Sequence, residues 1–120
     1  MTIHIRLVTC SYPEKAGQRQ RELRKCLEQN LSCMRLSEIL LLVEGGEPHE
    51  QPHTKVKVKP IAHRPTFQDY LDWIGELESN QDVSVIANSD IYFDESIAVM
   101  AAALQPGQCV ALARWDVQPC

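Results

Sequence analysis

The sequence has no long hydrophobic run, few aromatic residues and no excess of positive charge. Its longest apolar run, residues 39–43, is far shorter than the about 20 residues that span a bilayer, and no export signal is visible at the N-terminus. With 12 Lys and Arg against 16 Asp and Glu, the chain is mildly acidic, which argues against a phosphate-binding nucleic-acid surface. We therefore expect a cytoplasmic protein without a membrane span or a nucleic-acid partner.

Several motifs of common site chemistries are also missing. The 5 cysteines include no Cys-x-x-Cys pair, so neither a disulfide framework nor a zinc knuckle is indicated. His49 and His53 have a metal-like spacing, but Pro52 prevents the helix that would align their rings, and the pair is assigned to a loop. The absence of Gly-x-Gly-x-x-Gly, P-loop and nucleophile-elbow sequences argues against dehydrogenases, phosphate-loop proteins and serine hydrolases.

What is present is a regular alternation of strand and helix patterns in 120 residues, enough for one domain. Apolar residues at every second position predict a first strand that ends at Ser11, and a continuous apolar run predicts a central strand. Valines and lysines on opposite sides predict a charged edge strand. The five predicted strands cover residues 3–11, 39–43, 54–59, 83–87 and 109–113.

Helical spacing appears in three segments. The first runs from Gln18 to residues 30–32, the second begins at Thr66 with a capping box to Asp69, and the third is capped by Asp94. The side chains expected to face the core are Leu23, Cys26, Leu27, Leu31 and Met34 in the first helix, Phe67, Tyr70, Leu71, Ile74 and Leu77 in the second, and Ile97, Met100, Ala101 and Leu104 in the third.

This order of elements predicts a Rossmann-like three-layer α/β/α sandwich with a mainly parallel sheet of about five strands. The orientation of the strand at residues 54–59 stays open, because its preceding loop has about the minimum length for a crossover. In such sheets the ligand crevice lies beyond the carboxyl ends of the strands, where the winding direction reverses. The first strand and the strand at residues 83–87 are expected to be neighbours there.

Polar residues collect at this expected crevice. Asp90 follows a buried strand, and together with Asn88 and Asp94 it could bind Mg²⁺ or Mn²⁺, which take one or two carboxylates and fill other positions with water and phosphate. The alternative is that residues 88–90 only form a turn and Asp94 only caps a helix. Glu44 could accept from a ribose or a base, and Arg64 could pair with phosphate, although both also suit a plain surface. The predicted ligand-binding residues are Thr9, Cys10, Ser11, Tyr12, Glu44, Arg64, Asn88, Ser89 and Asp90.

The segment Ala87-Asn-Ser-Asp-Ile-Tyr-Phe-Asp94 resembles the metal-binding segment of nucleotide-sugar glycosyltransferases with the GT-A fold, of the family-2-like kind. Other features agree in order, namely the polar turn after the first strand, the Leu-x-x-Cys-Leu-x-x-Asn-Leu helix, Glu44, and Arg64-Pro-Thr-Phe before a helix. The resemblance implies that Asp90 coordinates Mn²⁺ or Mg²⁺ bridging the diphosphate of a UDP- or GDP-sugar. Asn88 stands where the family commonly has the first acid of its triplet.

The resemblance implies the donor-binding half of a transferase, because relatives continue beyond the position of Arg114-Trp-Asp into an acceptor-binding half with the catalytic base. If the chain is an enzyme, it transfers a hexosyl group from a nucleotide sugar. Two alternatives remain open at this point. One is a non-catalytic binding or assembly module, with residues 110–115 covered by a second copy or another chain, and the other is a fragment of a larger transferase.

Overall fold

The computed structural model describes residues 3–12, 17–45, 54–77 and 82–109, which form strands and helices in the order that the sequence predicts. The strands run over similar lengths, and each of the three helices follows a strand. The elements are β1 (His4–Ser11), α1 (Gly17–Ser32), β2 (Glu38–Glu44), β3 (Val56–Ile61), α2 (Phe67–Glu76), β4 (Asp82–Ile86) and α3 (Ile97–Ala103).

The strands form one four-stranded sheet in the order β3-β2-β1-β4, and all its pairs are parallel. The α/β class and the neighbouring positions of β1 and β4 are thereby confirmed, and β3 is parallel. The fold is consistent with a Rossmann-like architecture. In the predicted fifth strand, Cys109 is exposed and outside any strand, while residues 110–113 lie outside the described residues, as does the loop with His49 and His53.

Alternate residues of the central strands pack against different helices. Ile5 and Leu7 belong to a buried cluster with Ile97 of α3 and residues of α1. Val8 belongs to a second cluster with Tyr70 and Trp73 of α2. Burial on both sides explains why β2 is a continuous apolar run, since parallel strands covered on both faces have no polar side.

Two predicted helix faces are partly wrong. In α2 the buried side chains are Tyr70 and Trp73, whereas Phe67 is 73% and Leu71 52% exposed. The buried face of α2 therefore includes the large Trp73 ring. The Lys59 ammonium lies over this ring, 5.6 Å from its centre, in a cation–π contact. Met34 is 87% exposed because α1 ends before it, so the helical phase no longer applies.

The first strand also differs from the expectation of one apolar face, because Arg6 is buried in it with 5% exposure. Its Nε donates to Glu38 Oε1 at 2.5 Å and its Nη2 to Asp82 Oδ2 at 3.0 Å. Lys57 and His4 adjoin Glu38 at 3.3 and 3.6 Å. Burial raises the pKa of Glu38, but hydrogen bonds from Arg6 and Lys57 outweigh it and leave the pKa below its ordinary value.

The ends of the helices show how local sequence sets them. At α2 the predicted capping box is confirmed, with Thr66 accepting from the Asp69 N–H and Asp69 accepting from the Thr66 N–H. At the C-terminal end of α1 the Lys55 ammonium donates to the carbonyls of Leu31, in the last turn, and Cys33, just after the helix, at 3.1 and 2.6 Å. Among the helices of the described ranges, none has the length and apolarity needed to cross a lipid bilayer.

Candidate functional site

The carboxyl ends of β1 and β4 meet at one edge of the sheet. The Ala87 N–H donates to Val8 O at 3.2 Å, which places the residues after β4 beside the end of β1. The chain then turns, with the Ile91 N–H donating to Asn88 O at 3.2 Å. In this turn Asn88 is exposed, whereas Ser89 and Asp90 are half-buried. The two polar segments that the sequence places together are therefore adjacent.

The two carboxylate oxygens of Asp90 have different surroundings among the described residues. Its Oδ2 accepts from Arg19 Nη2 at 3.1 Å, and the carboxylate side chain is 26% exposed. Its Oδ1 is buried and has no hydrogen-bond partner in the part of the chain that the structure describes. A buried carboxylate oxygen without a donor is costly, because the charge is desolvated without compensation. This oxygen is thus one of two buried polar atoms at the edge that lack a partner among the described residues, the other being Thr9 Oγ1.

Arg19, which the sequence analysis did not select, connects Asp90 to the end of β1. The hydrogen bond to Asp90, followed by one with Tyr12, raises the pKa of Arg19 further above its already high value. Its Nη1 also donates to Glu22 at 3.3 Å. The position of Arg19 in the first turn of α1 was a signal in the sequence. The first turn of a helix that follows a parallel strand lies at the carboxyl edge of the sheet.

Asn30 is the second functional residue that sequence reasoning missed. Its carboxamide is 3% exposed, donates to Ile91 O at 3.0 Å and accepts from the Phe93 N–H at 2.9 Å. The signal was a polar residue in the apolar stripe of α1, beside Leu27 and Leu31. Asn30 thus fixes the segment that follows Asp90 to α1.

The four predicted residues at the end of β1 have different surroundings. Thr9 is 4% exposed, and its Oγ1 finds no partner among the described residues. Cys10 faces α2, where burial first, and then a hydrogen bond with Cys10, raises the pKa of Tyr70. Ser11 pairs with Val43 at the last position of the β1–β2 ladder. Of these four residues, Tyr12 is the one that interacts with Arg19, the partner of Asp90, and this interaction helps to raise the pKa of Arg19.

Glu44 and Arg64 lie at the same edge but apart from Asp90. Glu44 is half-buried at the end of β2, opposite Ile61 of β3. Arg64 is exposed in the connection between β3 and α2, where its charge acts to lower the pKa of Tyr70. The strand order places the end of β2 two strands away from the end of β4, and within the described ranges Arg64 forms no ion pair with Asp90.

The Asp94 carboxylate bonds to Ser96, the residue just before α3. Its Oδ1 accepts from the Ser96 N–H at 2.9 Å and from the Ser96 hydroxyl at 2.5 Å, and these bonds lower its pKa. The helix itself begins at Ile97. The N-cap of α3 is Ser96, without a side-chain capping hydrogen bond, so the prediction that Asp94 caps this helix is wrong; Asp94 bonds instead to the N-cap residue.

The donor set for a metal ion is small. Nowhere in residues 3–12, 17–45, 54–77 and 82–109 do three or more His, Cys, Asp or Glu side chains come together as a metal-binding group. The unpartnered Oδ1 of Asp90 nevertheless fits one coordination position of a hard cation. Mg²⁺ and Mn²⁺ commonly take one or two protein carboxylates and complete their shell with water and substrate phosphate. The described residues therefore offer a cation at most one unpartnered carboxylate oxygen at this edge.

Comparisons with known proteins add no relative to this picture. No family model, no curated protein and no solved structure matches the chain.

Proposed function

We propose that the chain is a nucleotide-sugar-binding domain of the glycosyltransferase type, which binds the diphosphate of a UDP- or GDP-sugar through Mg²⁺ or Mn²⁺ at Asp90. The observation that carries the proposal is the buried, unpartnered Oδ1 of Asp90 at the strand edge where β1 and β4 meet. The order β3-β2-β1-β4 reverses direction between these strands, and ligands of open α/β sheets bind at such a point. The complete domain in this proposal is a three-layer sandwich of about five strands.

Each polar group at the edge has a part in this proposal. Asp90 holds the cation, with the exposed Asn88 carboxamide as a further oxygen donor. In the proposal Tyr12, just after β1, and Glu44, at the end of β2, contact the nucleoside, and Arg64 supplies positive charge on the α2 side. When bound, the metal ion acts as a Lewis acid that stabilises the departing diphosphate.

The chain's own residues supply the rigidity that such a site needs. Asn30 holds the backbone just after Asp90 at two points, and Arg19 fixes one carboxylate oxygen. A carboxylate held in place loses little conformational freedom when a ligand binds, so more of the interaction energy appears as affinity. In the proposal the domain acts in the cytoplasm as the donor-binding part of hexosyl transfer.

Thermal unfolding with nucleotide sugars tests the proposal. UDP- and GDP-sugars are added with Mn²⁺, with Mg²⁺ or with EDTA to the wild type, to Asp90→Asn and to the matched control Glu95→Gln, an exposed carboxylate nearby. A ligand at about ten times its Kd stabilises by about 1.4 kcal/mol, which raises Tm by about 5 °C for a domain of this size. We expect that shift with metal in the wild type and in Glu95→Gln, and its loss in Asp90→Asn. A wild type without any metal-dependent shift would contradict the proposal.

A further inference from the structure

Two large apolar side chains of α2 are exposed although the helix already has a buried face. Phe67 is 73% and Leu71 52% exposed, while Tyr70 and Trp73 are buried against the sheet. Because Phe67 and Leu71 are four positions apart, they are neighbours on one side of the helix. The next position of the same row is Gly75, which is also exposed. We refer to Phe67, Leu71 and Gly75 as the outer row of α2.

The glycine of the outer row is not required by the fold of a single chain. A Cβ built at Gly75 meets no atom of the described residues within 4 Å, and its φ is not positive. Ala would fit at this position and is favoured over Gly inside a helix. The missing side chain leaves an open space beside Leu71 on the helix surface, and a neighbouring molecule can fill that space.

The outer row is complementary to a second copy of itself in the antiparallel direction. With a two-fold axis at Leu71, the two leucines meet, and Phe67 of each chain lies over Gly75 of the other. A large side chain then packs over a vacant position at both ends of the row. A parallel pair would set Phe67 against Phe67 and Gly75 against Gly75, which leaves a gap at one end. The order of sizes therefore favours the antiparallel pair.

The charges beside the outer row suit the same arrangement. Arg64 is exposed before the first turn of α2, whereas Asp72 and Glu76 are exposed in its C-terminal half. Antiparallel pairing brings Arg64 of each chain beside Glu76 of the other, and it also sets the two helix dipoles in opposite directions. Glu76 has Lys59 at 3.7 Å, but its side chain is 62% exposed and has room for a second cation.

We propose that the outer row of α2 is a dimer interface, on which a second copy of the chain packs antiparallel with Phe67 of each over Gly75 of the other. Covering the exposed parts of two Phe67 and two Leu71 side chains removes about 500 Å² of apolar surface from water. With the polar residues around the row the buried total is about 1,000 Å², at the lower end of specific interfaces. The dimer is therefore weak and reversible, with a Kd on the order of 100 µM.

Sedimentation velocity between about 10 µM and about 1 mM protein measures this association. The proteins are the wild type, Phe67→Ser, Gly75→Ala, and Met34→Gln as a control at an 87% exposed apolar residue outside α2. Phe67→Ser and Gly75→Ala should each raise the Kd at least about tenfold, because one removes the packed ring and the other puts a methyl group beneath it. Met34→Gln should dimerise as the wild type does.

The stability of the monomer separates a lost interface from a damaged fold. Thermal unfolding of dilute protein, at about 10 µM, reports on the monomer. Gly75→Ala should raise Tm there by about 4 °C, because Ala is favoured over Gly in a helix and meets no clash. The same substitution should thus stabilise the chain and weaken the dimer.

Charge reversal tests the direction of the pair. Arg64→Glu and Glu76→Lys each create two like-charge contacts in their own dimers, and each should raise the Kd about threefold to tenfold. In an equal mixture of the two variants both contacts join opposite charges, so the mixture should associate about as well as the wild type.

Three results would overturn the proposal. A wild type that stays monomeric at the highest concentration refutes the dimer, and this is the result expected if a different protein or a lipid surface covers the outer row. A dimer whose Kd is unchanged in Phe67→Ser and Gly75→Ala refutes the interface at α2. A mixture of the reversed variants that associates no better than its components refutes the antiparallel arrangement. The assays contain no ligand, so they do not depend on the proposed nucleotide-sugar site.

Discussion

Replacing Asn30 by Ala should destabilise the fold by about 2–4 kcal/mol, although the residue lies in a helix where Ala is favoured. The substitution removes the partners of two backbone groups, the Ile91 carbonyl and the Phe93 N–H, which Asn30 contacts at 3.0 and 2.9 Å. Each buried group left without a partner costs about 1–3 kcal/mol, and Asn30 itself is 3% exposed. Water entering the space reduces the total below the sum of the two maxima.

Urea unfolding measures this cost. With an m-value of about 2 kcal/mol per molar, the midpoint should fall by about 1–2 M. The neighbouring Gln29→Ala, on the exposed side of α1, should change stability by less than about 0.5 kcal/mol. Amide exchange at Phe93 should accelerate in Asn30→Ala and stay protected in the control. If Asn30→Ala is as stable as Gln29→Ala and the Phe93 amide is still protected, Asn30 does not hold the backbone at Ile91 and Phe93 in place.

Two further predictions concern the charged groups of the fold. Because the pKa of Glu38 is below its ordinary value when folded, its charge stabilises the protein above about pH 4.3, and that contribution disappears as pH falls through the lower folded pKa. Urea unfolding from pH 6 to pH 3 should therefore show a smaller loss in Glu38→Gln than in the wild type, and equal losses would contradict this. Lys55→Met removes the donor to the Cys33 and Leu31 carbonyls, at 2.6 and 3.1 Å, at the C-terminal end of α1 and should cost about 1–2 kcal/mol in the same assay, whereas the exposed Lys25→Met should be near neutral.

The elements that sequence reasoning predicted well are those with a local signal. The apolar run of β2, the capping box at Thr66 and the alternation of strands and helices all depend on residues within a few positions of each other. The predicted buried face of α2 is right at Tyr70, Ile74 and Leu77 and wrong at Phe67 and Leu71. Apolar residues surround much of that helix, so the pattern fits a stripe through Leu71 as well as one through Trp73. Packing of the indole against β1 and β2 decides between them.

The polar contacts could not be read from local spacing. Arg6 pairs with residues 32 and 76 positions away, and Arg19 with Asp90 across 71 positions. Such pairs become visible only once strand order and register are known, because the register sets which charges face each other. A buried arginine in an alternating strand pattern therefore looks like an exposed residue until its carboxylate partners are placed beside it.

The turn at Asp90 differs from an ordinary connection because two side chains of α1 bond to it. Asp94 accepts from the N–H and the hydroxyl of Ser96, the residue before α3, so this contact is local to the connection. Yet α1 contacts the turn at Arg19 and at Asn30, 11 positions apart and thus separated by about 16 Å along the helix axis. Two anchors at that separation fix both the position and the orientation of the segment between Asp90 and Phe93. The anchored carboxylate also has a buried oxygen without a partner among the described residues, so the cost of desolvating its charge is only partly offset by Arg19.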